Sequence, residues 1–296
     1  MDDLYRVVTA KIIKALEAGT PPWVRPWSTV TDALPINAAS KRPYRGVNFT
    51  LLSLETQGHG YPLNRFLTYK QATELGGQVR RGERGTTVVF WKLRRVSATA
   101  DTYPDENEPD LHERVIPLLR AFTVFNVAQV DGLPDAIFAT VQPSWEPEAK
   151  AEELLLMSGA VIRHGGSKAF YQPGTDEIHL PPRQAFPAAD RYYATSLHEL
   201  THWTSHARRC NRQLGQRFGD GAYGAEELIA EIGAAFLCAH CRIDGQLEHA
   251  SSYVASWLKV LRADKRAIFV AATKAQQAAD YILNLSDPTR AHALAA

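Results

Sequence analysis

Leu4, Val7, Val8, Ile12, Ile13 and Leu16 recur at three- and four-residue spacing, and Gly19 closes the run. That spacing puts them on one face and predicts an amphipathic helix over residues 4–18. Pro21, Pro22 and Pro26, with Trp23 and Trp27 among them, rule out helix in the next segment. The helical period returns through Leu51, Leu52 and Leu54 and again over 68–75, where Gly76 and Gly77 stop it. The period then changes to two. Residues 86–93 and 118–125 are rich in β-branched and aromatic side chains and read as strands that pair antiparallel.

Beyond a Pro-containing region at 134–147 the pattern predicts a helix over 149–158 and strands near Ala160 and Ala169. A strand, turn and strand follow over 171–181. Residues 192–203 read as a continuous, largely buried helix, and 225–236 as a second helix free of proline. Further helices run through Trp257 and Leu258 and over 275–282. The expectation is an α+β chain in two parts: a domain over 1–135 and a mixed α/β domain over 146–296.

The chain has 296 residues, 45% of them hydrophobic, enough for two cores. Its net charge of +1 conceals a gradient. Residues 1–100 hold 15 Lys or Arg against 7 Asp or Glu, while 101–113 hold six acids and no Lys or Arg. The acidic stretch reads as a long loop inserted in the hairpin of the two strands, and the basic first third suggests a separate task from the near-neutral remainder. No apolar run approaches the ~20 residues needed to span a bilayer. An acidic start, no apolar signal core and three cysteines suit a reducing cytoplasm. Cys238 and Cys241 lie within the helical run, and core packing accounts for them better than metal binding does.

The most specific chemistry is at His198-Glu199-Leu200-Thr201-His202. Residues four apart on a helix share a face, so both imidazoles of this H-E-x-x-H motif reach one metal ion. Glu199 borders the open coordination position, where a carboxylate can take a proton from water and return it to a leaving amine. Two neutral imidazoles and a carboxylate suit Zn2+, with Mn2+ or another divalent ion able to use the same ligands.

The run 225–236 resembles the second metal helix of gluzincin-type peptidases. That resemblance makes Glu227 the third ligand, makes Glu231 the residue that orients a ligand histidine, and leaves Glu226 facing solvent. The strands over 171–181 match the edge strand along which zincins pair an extended peptide. Strand alternation turns His179 toward solvent, away from the metal.

In the basic third, Trp23, Trp27, Tyr44, Phe49, Phe66, Tyr69, Phe90 and Trp91 interleave with Arg25, Arg42, Arg45, Arg65, Lys70, Arg80, Arg81, Arg84 and Lys92. Single-stranded nucleic acid asks for that mixture, cations for phosphates and ring faces for bases. A core of aromatics under a solvated charged face would give the same composition. The candidate DNA contacts are Trp23, Arg25, Trp27, Arg42, Tyr44, Arg45 and the Gly-rich turn of Arg80, Arg81 and Arg84.

Three segments, P-W-x-x-P-W at 22–27, Y-R-G-V-N at 44–48 and F-L-T-Y-K-Q-A-x-E-L-G-G-Q-V-R-R-G-E-R-G-T-x-V-V-F-W at 66–91, closely resemble the N-terminal domain of ArdC-type antirestriction proteins. The second half resembles the zincin-like metallopeptidase domain that accompanies it. The resemblance implies single-stranded DNA binding by the first domain and protection of incoming plasmid DNA from host restriction during conjugation. It leads to the expectation that the peptidase site cuts a host protein, restriction-related, near that DNA. A DNA-coating protector with a structural metal site is the alternative. A nuclease fits poorly, because the chain lacks an acidic two-metal cluster.

Overall fold

The computed structural model describes residues 2–19, 21, 23, 34–97, 113–139, 147–212, 221–243 and 250–286. Helix α1 (Asp2–Glu17) presents Val8, Ile12 and Leu16 to the core, as its spacing predicts, together with Tyr5, whereas Val7 is 57% exposed. After β1 (Ile36–Asn37) come α2 (Val47–His59), β2 (Arg65–Thr68), α3 (Tyr69–Glu74) and β3 (Gln78–Val79). Thr68 starts α3 with a reciprocal cap: its hydroxyl accepts from the Gln71 N–H while the Gln71 side chain accepts from the Thr68 N–H.

The two long strands β4 (Thr86–Ser97) and β5 (Glu113–Asn126) pair antiparallel along their whole length, from Thr86↔Val124 to Ser97↔Glu113. They outrun the expected strands. The acidic stretch connects them, and its residues up to 112 lie outside those described. The sheet order is β1-β2-β5-β4, with β1 parallel to β2 and the other pairs antiparallel. β4 is an edge strand, and Asn48 of α2 occupies that edge: its amide donates to the Val89 carbonyl at 2.7 Å and accepts from the Val89 N–H at 2.8 Å. Gly85 is required where the strands begin, since a Cβ there would lie 2.3 Å from the Thr123 methyl. β3 pairs with β6 (Val130–Asp131).

The second half contains α4 (Pro147–Ser158), β7 (Val161–His164), β8 (Phe170–Gln172), β9 (Glu177–Leu180), α5 (Ala189–Trp203), α6 (Gly221–Cys241), α7 (Ala250–Ala263) and α8 (Ala267–Leu285). Its sheet runs β7-β9-β8, with β8 antiparallel to β9 and open on its far side. Around α5 and α6 lies one core that also takes in α1 and α2, through contacts such as Phe49 on Phe236 and Tyr5 on Phe269. Cys238 and Cys241 are buried in it as expected. Among the described residues, no helix is long and apolar enough to cross a membrane.

Candidate metal centre

Helix α5 carries the H-E-x-x-H motif on its inner face. Leu197, Leu200, Ser196 and Thr201 around it are fully buried, so the helix cannot rotate without exposing core. Helix α6 approaches α5 closely because residue 233 is glycine; a Cβ there would sit 2.5 Å from the Thr201 methyl. That close approach sets Glu227 opposite the two histidines. His198 Nε2 lies 3.6 Å from Glu227 Oε2, and His202 Nε2 lies 3.6 Å from Glu227 Oε1. One ligand atom from each of the three residues falls within 4.8 Å of the others, and the described residues hold no other such cluster. His179 stays apart, stacked on Phe170 with ring centroids 4.7 Å apart.

The charge state of this cluster follows from what surrounds it. Burial pushes the His202 imidazole down, but the carboxylates of Glu226 and Glu227 outweigh burial and hold its pKa at about 10. Burial likewise works against protonation of His198, and its neighbour Glu227 reverses the sense. Burial raises Glu227, yet its bonds to both histidines bring it well below the usual carboxylate range. Glu199 and Glu231 are raised chiefly by burial, Glu231 to about 7.

Four buried carboxylates around two imidazoles make a set that fits a divalent cation. His198 Nε2 faces Glu227 and is the nitrogen turned toward the cluster, while its Nδ1 is buried with no hydrogen-bond partner among the described residues. His198, His202 and Glu227 would hold the ion.

The expectation for the outer residues needs correction. Glu226 does not face solvent: it is 4% exposed, and its Oε1 lies 3.4 Å from His202 Nδ1. Arg212 fixes Glu226 with a guanidinium fork, at 2.8 Å to Oε1 and 3.1 Å to Oε2. The same guanidinium donates to Thr204 Oγ1 at 2.7 Å and to the Thr201 carbonyl at 2.8 Å, both at the end of α5. The chain Arg212–Glu226–His202 thus fixes which imidazole nitrogen turns inward. Glu231, buried beside His198, acts on that residue through its charge. The sequence signal for Glu226 was its place next to Glu227, where a helix turns about 100° and can still reach the outer side of the imidazole. Arg212 had no distinguishing signal among the loop arginines.

Two cavities of about 260 and 510 Å³ meet at the centre. His198, Glu199, Ala169 and Tyr253 line both, forming a cleft past the cluster. β8 forms one wall, and the Tyr171 backbone lies beside the Glu199 carboxylate, where it weakly opposes the effect of burial. Arg209 secures that wall to α5: it pairs with Asp176, donates to the Trp203 carbonyl at 2.7 Å and covers the Trp203 ring at 3.8 Å. On the far side the Tyr223 hydroxyl bonds Glu227 and Tyr253, and burial and Glu227 push its pKa up.

The described candidate DNA contacts divide between core and surface. Trp23 is 3% exposed, packed edge-on against Trp257 at 5.3 Å and next to Glu231. Tyr44 is 7% exposed, in a cluster with Leu52, Phe66, Val88 and Val124. Both are corrections: these rings are worth more in the core than open to bases. Arg45 pairs with Asp280, and Arg80 pairs with Glu83 at 2.7 Å and Asp131 at 3.3 Å. Arg42, Arg81 and Arg84 are exposed. Arg25 and Trp27 lie outside the described residues.

Comparison with known proteins gives a consistent result. Residues 2–125 match the family model of the N-terminal domain of anti-restriction factor ArdC, and residues 149–274 match that of a zincin-like metallopeptidase. An uncharacterized protein, y4eC of Sinorhizobium fredii, is 42% identical over 95% of this chain and 91% of its own length. DNA primase TraC of Escherichia coli is 40% identical over 94% of this chain, which spans 27% of that primase. The crystal structure of the antirestriction protein ArdC from plasmid R388, in metal-free form, superposes with a TM-score of 0.80 at 41% identity, covering 96% of this chain and 98% of that one. Its Mn(II)-bound structure superposes with a TM-score of 0.77.

Proposed function

The chain belongs to the ArdC antirestriction family, and from that premise we propose that it binds single-stranded DNA and cuts a protein near it with a divalent-metal peptidase site. Incoming plasmid DNA would thereby escape host restriction during conjugation, in the cytoplasm of the recipient. The observation that carries the peptidase reading is the convergence of His198, His202 and Glu227 in a cleft that Glu199 and the edge strand β8 also line.

Zn2+ is the ion proposed for the site, since two imidazoles and one carboxylate are its usual catalytic ligands; Mn2+ is accommodated by the same atoms. When bound, the ion supplies Lewis acidity toward a carbonyl oxygen and a water molecule. Glu199, raised by burial and lining the cleft, would serve as the base that accepts a proton from water and as the acid that returns it to the leaving amine. The open edge of β8 offers backbone groups to an extended peptide, setting its scissile bond across the cleft. Tyr253 lines both lobes and would donate to the carbonyl oxygen under attack. The substrate class is a host protein involved in restriction.

A Glu199→Ala variant tests the reading in a plasmid-transfer assay with a restricting recipient, with metal content measured in parallel. Protection should disappear while metal is retained. Protection that survives in Glu199→Ala would reduce the role of the chain to coating DNA.

A further inference from the structure

The β4–β5 hairpin carries an aromatic pair that the core does not absorb. Residues directly opposite in a sheet share a face, so Val88, Phe90 and Lys92 of β4 lie on one face with Val124, Phe122, Arg120 and Leu118 of β5. At the inner end of this face Val88 and Val124 are buried with Leu52 and Tyr44. One step outward the cover ends: Phe90 and Phe122 are each 45% exposed. They meet edge-to-face at 5.7 Å, and Phe90 rests on Tyr44 at 6.4 Å, so the rings are supported from below. Arg120 stands directly across from Phe90, and Lys92 is the next residue outward on that face of β4. Both cations are exposed, and neither pairs with a carboxylate among the described residues.

We propose that Phe90 and Phe122, flanked by Arg120 and Lys92, form the stacking platform on which unpaired bases of single-stranded DNA are held. Ring faces held open between cations match alternating bases and phosphates. Duplex DNA hides its base faces, so an open platform of this kind favours unpaired strands. This placement rests on the reading that the protein binds single-stranded DNA, and it moves the contacts from buried Trp23 and Tyr44 to the hairpin.

The test uses the full chain and a fluorescein-labelled oligo(dT), with binding followed by anisotropy and fold by thermal unfolding. Phe90→Ala with Phe122→Ala should weaken Kd at least ten-fold, and Phe90→Tyr with Phe122→Tyr should restore it, because the ring faces return. Arg120→Ala with Lys92→Ala should flatten the salt dependence. If wild type binds oligo(dT) and the Ala pair binds equally well, the platform is wrong while DNA binding stands. If the Tyr pair folds normally yet binds as weakly as the Ala pair, the platform is also wrong. If wild type does not bind oligo(dT), the platform and the DNA-binding reading fall together.

Discussion

The two halves of the molecule place their charges in opposite environments. Around α5 and α6, His198, Glu199, His202, Arg212, Glu226, Glu227 and Glu231 are each under a tenth exposed. On the β4–β5 face, Lys92 and Arg120 stand in solvent beside half-open rings. Buried charges persist only when compensated atom by atom, which fixes geometry and suits a small ion. Exposed charges are screened and adaptable, which suits a long flexible polyanion. The contrast accounts for one rigid site and one permissive surface in the same chain.

The sharpest way to break the comparison is at the buried site. Glu227→Ala or His202→Ala should abolish metal retention after dialysis, a larger loss than the roughly 10–100-fold that follows removal of an outer partner. Glu199→Ala should stay loaded. Metal analysis that found Glu199→Ala empty, or His202→Ala full, would undo the assignment of ligands.

Glu226→Ala and Arg212→Ala come next. Each should weaken metal affinity about 10–100-fold, because His202 loses the partner that orients it. Each also leaves its former partner charged and buried, at a cost of about 3–5 kcal/mol of stability. Glu226→Gln retains one acceptor oxygen and should lose less. Glu231→Ala, which removes no bond to a ligand, should fall short of both in a metal titration.

How far the sequence reached follows the same division. The periodicity of α1 and the shared face of His198 and His202 depend on local spacing, which was visible, whereas Glu227, on a separate helix, was reached only through the resemblance of 225–236 to a known metal helix. Glu226 was misplaced because its environment is made by Arg212, fourteen residues away across a loop, and a pattern of apolar positions along one helix carries no such information. Trp23 and Tyr44 were misread for a related reason: composition says that a ring is present but not which neighbours cover it.

Protons sharpen the comparison further. His202 is raised from its ordinary 6.5 to about 10, so its contribution to the metal-free fold is whole below pH 6.5 and lost as pH rises through 10. Glu231 is raised from 4.5 to about 7, so the fold favours its protonated form and loses stability as pH climbs from 4.5 to 7. Both act in one direction. In EDTA, the melting temperature should fall as pH rises from 5 to 10, and metal affinity should rise over that range as the ion displaces protons. Glu231→Gln should shrink the fall between 4.5 and 7, leaving the part that Glu199, also raised by burial, contributes. A metal-free melting temperature flat across this window would show that the buried groups are not charged as the geometry requires.

The smallest expected effect lies on the exposed side, at the Gly-rich turn. Arg80, Arg81 and Arg84 are adjacent in sequence, but Arg80 is already committed to Glu83 and Asp131. Its charge is largely cancelled before any phosphate arrives, and moving it would break both pairs. Arg81 and Arg84 are exposed and carry no such pairing among the described residues. Each phosphate contact on a single strand contributes about 0.7 to the slope of log affinity against log salt. Arg81→Ala with Arg84→Ala should therefore lower that slope by up to about 1.4, whereas Arg80→Ala should leave it nearly unchanged and lower the melting temperature slightly. Anisotropy titrations of the full chain at several salt concentrations separate the two variants. A larger change in slope for Arg80→Ala than for the Arg81 and Arg84 pair would mean that its ion pairs open on binding, and the exposed face would then be less preformed than the contrast with the buried site requires.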